Sequence, residues 1–124
     1  MSQSNLKTAV RYYEALNHRD LKEMEQCLHP DVEFLGPLAE MKGRATVLEA
    51  AKGFFLLFKD LRIRAKFENE DQVMVAVEFD CPGPIGLFRA AHLLSFQDSL
   101  ISQIELYYDA RPFEAKRTEA FQTS

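Results

Sequence analysis

One histidine, His92, stands within an apolar stretch and is the residue of this sequence best suited to carry chemistry. Imidazole titrates closer to neutrality than any other side chain, so an inward-facing His92 can act as a general acid or base, or donate a hydrogen bond to a carbonyl group. The alternative is a core histidine whose hydrogen bonds are satisfied within the protein. Apolar residues alternate around it as on the buried face of a β-strand, at Phe88, Ala90, Leu94 and Phe96.

Tyr12 is the second candidate, because it belongs to the apolar stripe of an N-terminal segment. Apolar residues recur there at three- and four-residue steps from Asn5 to His18, which predicts an amphipathic helix. A Tyr12 hydroxyl that faces the same space as His92 supplies a second hydrogen-bond donor. The alternative is a core tyrosine with its hydroxyl at the edge of a pocket.

Two more helices and a short strand are predicted before residue 60. Asp20 is placed to cap a short second helix through Leu21, Met24 and Leu28, which His29-Pro30 ends. A short strand at 32–35 and a third helix at 43–59 follow.

The hydrophobic period changes to two from residue 61 onward, and this predicts four antiparallel strands at 61–68, 73–81, 87–96 and 101–109. Helices that precede such a meander are typical of an α+β domain, with helices on one face of a curved sheet. The segment after Pro112 is polar, which favours a tail. The pattern places Leu61, Ile63, Ala65 and Phe67 on the buried face of the first strand, and Ile104, Leu106 and Tyr108 on that of the last.

The composition limits the classes of function. We predict one domain over 1–124, with a core of about 5–110 and a C-terminal tail at 111–124, since 124 residues suit a single core. A net charge of −4 argues against nucleic acid as a partner. With no secretory signal pattern and with apolar runs too short to cross a bilayer, we expect a cytoplasmic protein without a membrane partner. Cys27 and Cys81 lie far apart without metal-ligand spacing, so we expect buried thiols, no metal and no cofactor.

Four segments together resemble the SnoaL-like family of the nuclear transport factor 2-like superfamily, which also contains ketosteroid isomerases and limonene epoxide hydrolases. The resemblance implies a cone-shaped half barrel: three N-terminal helices packed on a strongly curved, mainly antiparallel sheet, with a pocket between them and a homodimer formed through the outer sheet face. The segments are Tyr12-Tyr13-Glu14-Ala15-Leu16-Asn17 followed by Asp20-Leu21, Leu28-His29-Pro30-Asp31-Val32-Glu33-Phe34, Lys42-Gly43-Arg44 and Ile104-Glu105-Leu106-Tyr107-Tyr108-Asp109.

The resemblance also implies where catalytic groups would stand, although a shared fold does not assign chemistry. Ketosteroid isomerases use an Asp base with a Tyr and a protonated Asp that stabilise the oxyanion. The base position corresponds to Phe34, the oxyanion tyrosine to Tyr12 and the second oxyanion group to His92. A carboxylate that epoxide hydrolases need falls at Leu106, which excludes that reaction. SnoaL-type cyclases use one acid/base group at mid-sheet, which His92 can imitate.

Three functions follow as hypotheses. The first is binding of a small apolar molecule, one that can carry a carbonyl, in a pocket that is either open or filled by aromatic side chains. The second is an isomerase or cyclase that uses His92 and Tyr12 without the usual base, and the third is a non-catalytic dimerisation module. The apolar outward positions of the sheet, Met74, Ala76, Ala91, Leu93 and Tyr107, predict the dimer interface. The predicted pocket lining is Leu16, Phe34, Phe54, Phe58, Phe79, Phe88, Leu106 and Tyr108.

Overall fold

The computed structural model describes residues 2–113, and the side chains of residues 5–113. Three helices precede or interrupt a six-stranded sheet. The helices are α1 (Ser2–Asn17), α2 (Leu21–Cys27) and α3 (Arg44–Phe54), with a short 3₁₀ turn at Gly83–Ile85; the strands are β1 (Leu28–Leu35), β2 (Glu40–Lys42), β3 (Asp60–Glu68), β4 (Gln72–Asp80), β5 (Leu87–Gln97) and β6 (Leu100–Tyr107).

The strands form one curved, unclosed sheet in the order β2-β1-β6-β5-β4-β3. The pair β1–β6 is parallel and the other pairs are antiparallel. Helix α1 packs across β3, β4 and β6, and α3 packs against β1. The predicted α+β architecture, with helices on a curved and mainly antiparallel sheet, is confirmed.

Helix α1 ends in a turn that fixes where α2 begins. The N–H of Asp20 donates to the Ala15 carbonyl at 2.8 Å and that of Arg19 to Leu16 at 3.2 Å, the paired bonds of a Schellman C-cap. Arg19 takes the left-handed conformation usual for glycine there, with φ of 59°. Asp20 then accepts a hydrogen bond from the Glu23 N–H at 3.1 Å, so its predicted capping role is confirmed.

The second helix ends one residue earlier than predicted. It stops at Cys27, and Leu28, His29 and Pro30 already belong to β1. Proline is tolerated in this strand because the register between β1 and β6 shifts between Leu28 and Glu33, where a regular ladder hydrogen bond is not required.

The third helix is also shorter than the predicted 43–59. It ends at Phe54, and residues 55–57 form turns in which Leu56 and Leu57 donate to Gly53 and Phe54. The physical reason is the packing of two aromatic side chains. Phe54 and Phe58 both contact Phe79, at ring-centroid distances of 5.1 and 5.4 Å. Tightening the chain after Gly53 brings both rings to the sheet.

A β-bulge in β3 overturns the predicted burial of its second half. Leu61 and Ile63 pair with the inward residues of β4, but the register shifts between Ile63 and Ala65. After the shift, Ala65 and Phe67 lie on the outer face of the sheet, and Phe67 is 67% exposed. The extra residue Arg64 reverses the alternation, because a one-residue slip sends every following side chain to the other face.

The last strand ends at Tyr107, two residues before the predicted Asp109. The chain then turns inward, because the Phe113 N–H donates to Ala110 at 2.9 Å and the Phe113 side chain is buried. The core therefore extends into the predicted tail as far as Phe113, while 114–124 lie outside the described residues. No helix within 2–113 combines the length and the apolar character that a bilayer crossing demands.

Candidate functional site

His92 lies inside the molecule, where it bonds to a tyrosine of α1. Its ring is carried at the centre of β5, on the inner face, and is 7% exposed. The Tyr13 hydroxyl and His92 Nδ1 are 2.6 Å apart, a short hydrogen bond between two buried side chains. The site therefore joins the first helix to the middle of the sheet.

The partners available to Tyr13 fix the direction of this hydrogen bond. Among the described residues, His92 Nδ1 is the one acceptor within reach of the Tyr13 hydroxyl, and Tyr13 is 1% exposed. A buried hydroxyl proton without an acceptor costs about 1–3 kcal/mol, so Tyr13 donates and Nδ1 accepts. A neutral imidazole then carries its proton on Nε2, which becomes a hydrogen-bond donor.

The environment keeps both groups uncharged. Burial lowers the pKa of His92 to about 3. Burial also raises the pKa of Tyr13 well above its ordinary value, and the nearby Tyr12 hydroxyl adds to this rise. Nε2 is not a sealed, unpartnered atom, because no buried side-chain nitrogen or oxygen among residues 5–113 lacks a hydrogen-bond partner. His92 is thus suited to donate to a neutral acceptor and poorly suited to hold a positive charge.

Tyr12, the predicted partner of His92, faces a different neighbour. Its ring meets that of Tyr13 edge to face at 5.2 Å, and the Cys27 thiol lies close enough to affect its titration. Burial raises the pKa of Tyr12, and Cys27 adds to this rise. The structure thus pairs His92 with Tyr13 in place of Tyr12.

Most of the predicted lining residues meet in one aromatic cluster. Phe79 lies at its centre, stacked on Phe88 at 5.4 Å and 6.3 Å from His92. Leu106 stands beside His92 as its partner in the β5–β6 register. Leu16 is buried in the same core, and Phe34 packs against it half-buried. The remaining rings of the aromatic cluster are those of Phe54, Phe58, Tyr108 and Phe113.

The aromatic cluster lies between the helices and the sheet, where the sequence predicts the pocket. Two surface clefts, of about 480 and 310 Å³, lie elsewhere: one at the β3–β4 turn and one beside the start of β1. Neither is lined by His92 or by the aromatic cluster. Several apolar side chains packed on the core stay partly exposed at its rim, among them Phe34, Met41, Phe54, Phe88, Leu106 and Tyr108.

One buried carboxylate, that of Glu78 in β4, lies on the outer face of the sheet. Glu78 is 4% exposed and accepts hydrogen bonds from Arg64 at 2.6 Å and from Arg89 at 3.0 Å. Both bonds lower the pKa of Glu78, and the bond from Arg89 has the larger effect. Within residues 2–113, no group of three or more His, Cys, Asp or Glu side chains is arranged to hold a metal ion.

Two residues of the site were not predicted as functional. Tyr13 shares the apolar stripe of α1 with Tyr12, and helical periodicity cannot say which of two adjacent tyrosines meets the sheet. Phe113 follows Pro112 in a polar segment, and an aromatic residue at the start of such a segment is the signal that would have indicated packing.

Comparison with solved structures places this fold among nuclear transport factor 2-like proteins. A protein of unknown function from Cytophaga hutchinsonii, described as NTF2-like, has 18% identity and a TM-score of 0.78 over 88% of this chain and 93% of its own. A candidate ketosteroid isomerase from Kribbella flavida has 19% identity and a TM-score of 0.79 over 87% and 79%. TerC, co-crystallized with polyporic acid, has 20% identity and a TM-score of 0.74 over 90% and 96%. These similarities concern the fold.

The family model for the SnoaL-like domain matches residues 9–104, and the chain therefore belongs to the SnoaL-like domain family. A search of curated proteins found no match.

Proposed function

We propose that this protein binds a small apolar molecule with a hydrogen-bond acceptor, such as a ketone, at the inner end of the aromatic cluster. The observation that carries the proposal is the Tyr13–His92 hydrogen bond, which presents Nε2–H as a donor within an apolar surrounding. Apolar walls with one or two directed polar groups are typical of small-molecule sites. The partly exposed apolar rim is the side from which a ligand enters.

An isomerase or cyclase that uses His92 as an acid or base is the second candidate, and the site supports it less well. Proton abstraction would place a positive charge on a buried ring, and the low pKa of His92 opposes this. The position at which the ketosteroid isomerases carry their base is Phe34, which cannot take over the role. His92 is better suited to polarise a carbonyl than to remove a proton.

The binding proposal is tested with two ligands of nearly equal shape, 2-acetylnaphthalene and 2-ethylnaphthalene, which differ by the carbonyl oxygen. We expect the wild-type protein to bind the ketone about ten-fold more tightly than the hydrocarbon, as one directed hydrogen bond in an apolar site allows. Affinities are measured by naphthalene fluorescence titration.

The double variant Tyr13→Phe/His92→Leu removes both hydrogen-bonding partners and leaves neither unpaired. We expect it to lose the preference for the ketone, whereas His18→Leu, an exposed histidine at the end of α1, keeps it. Equal affinities for the two ligands in the wild type, or an unchanged preference in the double variant, would refute the proposal.

We also propose that the protein is a homodimer through the outer face of the sheet. The β-bulge supports this, because it aligns two apolar rows across the strands: Phe67–Met74–Leu93 and Ala65–Ala76–Ala91–Tyr107. We call these seven residues the outer-face patch. Phe67 and Tyr107 are 67% and 52% exposed, which is unusual for large side chains on a sheet that faces water. A monomeric mass in sedimentation at micromolar concentration would contradict the dimer.

A further inference from the structure

Beyond His92, the aromatic cluster reaches a side chain at the end of the described residues, Phe113. Phe113 lies after the last strand, and its ring contacts Phe88 at 4.8 Å and Tyr108 at 5.8 Å, edge to face in both cases. Phe88 and Tyr108 also contact each other, at 5.3 Å. We call the space that the Phe113 ring occupies against Phe88 and Tyr108 the niche.

A short turn holds Phe113 in this niche. Asp109 Oδ1 accepts hydrogen bonds from the backbone N–H and from Nε of Arg111, at 3.0 and 2.9 Å, and Oδ2 accepts from Nη2 at 2.8 Å. The Asp109 and Arg111 side chains are 53% and 89% exposed, so the ion pair holds the turn weakly. The backbone of residues 111–113 is helical, and we call residues 109–113 the C-terminal turn.

The position of the niche connects it with the site at His92. Phe88 stacks on Phe79, whose ring lies 6.3 Å from that of His92, and both Phe88 and Tyr108 belong to the partly exposed rim. A molecule that extends from His92 towards the rim therefore reaches Phe113. The ring of Phe113 shows which group the niche accepts: a flat, apolar ring that meets its neighbours edge to face.

We propose that the niche between Phe88 and Tyr108 is a subsite for a planar apolar ring of the ligand, and that Phe113 is its intramolecular occupant, displaced when the ligand binds. The inference rests on the proposed function. It adds the class of ligand and the side chain that occupies the subsite when no ligand is bound. Release of the C-terminal turn breaks the Phe113–Ala110 hydrogen bond and the exposed Asp109–Arg111 pair.

The test measures the affinity for 2-ethylnaphthalene, which has no acceptor for His92, so it is independent of the ketone preference. If Phe113 competes with the ligand, Phe113→Ala binds this hydrocarbon at least ten-fold more tightly than the wild type. Asp109→Ala, which leaves Phe113 in place but removes three hydrogen bonds of the turn, binds it at least two-fold more tightly. Leu56→Ala, an exposed residue in the connection after α3, leaves the affinity unchanged.

Unchanged or weaker binding by folded Phe113→Ala overturns the inference, because Phe113 is then a wall of the site or no part of it. Should Phe113→Ala fail to fold, Asp109→Ala decides, and an affinity equal to that of the wild type overturns the inference. Tighter binding by these variants together with equal affinities for ketone and hydrocarbon leaves the niche established and refutes the role of His92.

Discussion

At the scale of single residues, a polar pair in an apolar interior is the feature that most constrains the site. A buried histidine must be neutral or paired with a charge, and His92 is neutral because its neighbours are rings and aliphatic groups. Tyr13 satisfies Nδ1 and thereby leaves Nε2 as the donor. One hydroxyl group of α1 thus decides what the imidazole can do.

Tyr13→Phe should therefore destabilise the fold more than Tyr12→Phe does. The first change leaves His92 Nδ1 buried without its donor, at a cost of about 1–3 kcal/mol. The second removes a hydroxyl that makes no side-chain hydrogen bond to any residue within 5–113. Urea unfolding of both variants measures the difference, and equal losses of stability would show that the Tyr13–His92 bond contributes nothing.

His92 also predicts a pH dependence of stability. Burial lowers its pKa in the folded state from 6.5 to about 3, so the unfolded chain takes up a proton at higher pH than the folded chain does. The stabilisation is complete above about pH 6.5 and is lost as the pH falls towards 3. Between pH 8 and pH 5 we expect the wild type to lose about 2 kcal/mol more than Tyr13→Phe/His92→Leu, in which this titration is absent. Parallel profiles from urea unfolding at several pH values would contradict the assignment.

At the scale of elements, the turn between α1 and α2 holds together parts that are distant in sequence. The guanidinium of Arg19 donates to the carbonyl of Asn17 at 2.6 Å and to those of Phe55 and Phe58, and it lies 4.1 Å from the Phe58 ring centroid. Asn17 Oδ1 also accepts the Leu61 N–H at 3.0 Å. The end of α1 thereby fixes the connection that brings Phe58 to the aromatic cluster.

Arg19→Ala should cost about 2 kcal/mol, since it removes the charge-assisted hydrogen bonds and the cation–π contact. Arg19→Gly loses the same contacts but relieves the left-handed backbone at this position, which saves about 1 kcal/mol relative to alanine. Thermal unfolding should therefore rank the proteins wild type, Gly, Ala in decreasing stability. If Arg19→Ala unfolds at the same temperature as the wild type, the contacts of the Arg19 side chain are not stabilising.

The elements also show what sequence could and could not predict. The inward position of His92 followed from an alternation that the pairing with β4 keeps regular from Leu87 to Ser95. The exposure of Phe67 did not, because an inserted Arg64 looks in sequence like any outward residue of a strand. Tyr13 was missed because adjacent tyrosines share the apolar stripe of a helix, and only the tertiary packing selects between them.

At the scale of the whole molecule, the sheet has two faces with different roles. The inner face and the helices enclose the aromatic cluster and His92. The outer face carries the outer-face patch beside Glu78, which lies beneath the exposed guanidinium groups of Arg64 and Arg89. A second copy of the chain would cover the apolar rows and leave these charges at their margin, the usual arrangement of an interface.

If the outer-face patch is the dimer interface, thermal stability must depend on protein concentration, because unfolding then also separates two chains. We expect the melting temperature of the wild type to rise by about 5 °C over a hundred-fold increase in concentration. Phe67→Glu places a charge in the patch and should abolish this dependence. Leu56→Glu is the matched control, since Leu56 is 83% exposed but lies in the connection after α3, away from the outer face. Differential scanning calorimetry distinguishes the cases: a wild-type melting temperature that is independent of concentration contradicts the dimer, and loss of the dependence in both variants would assign the interface to another surface.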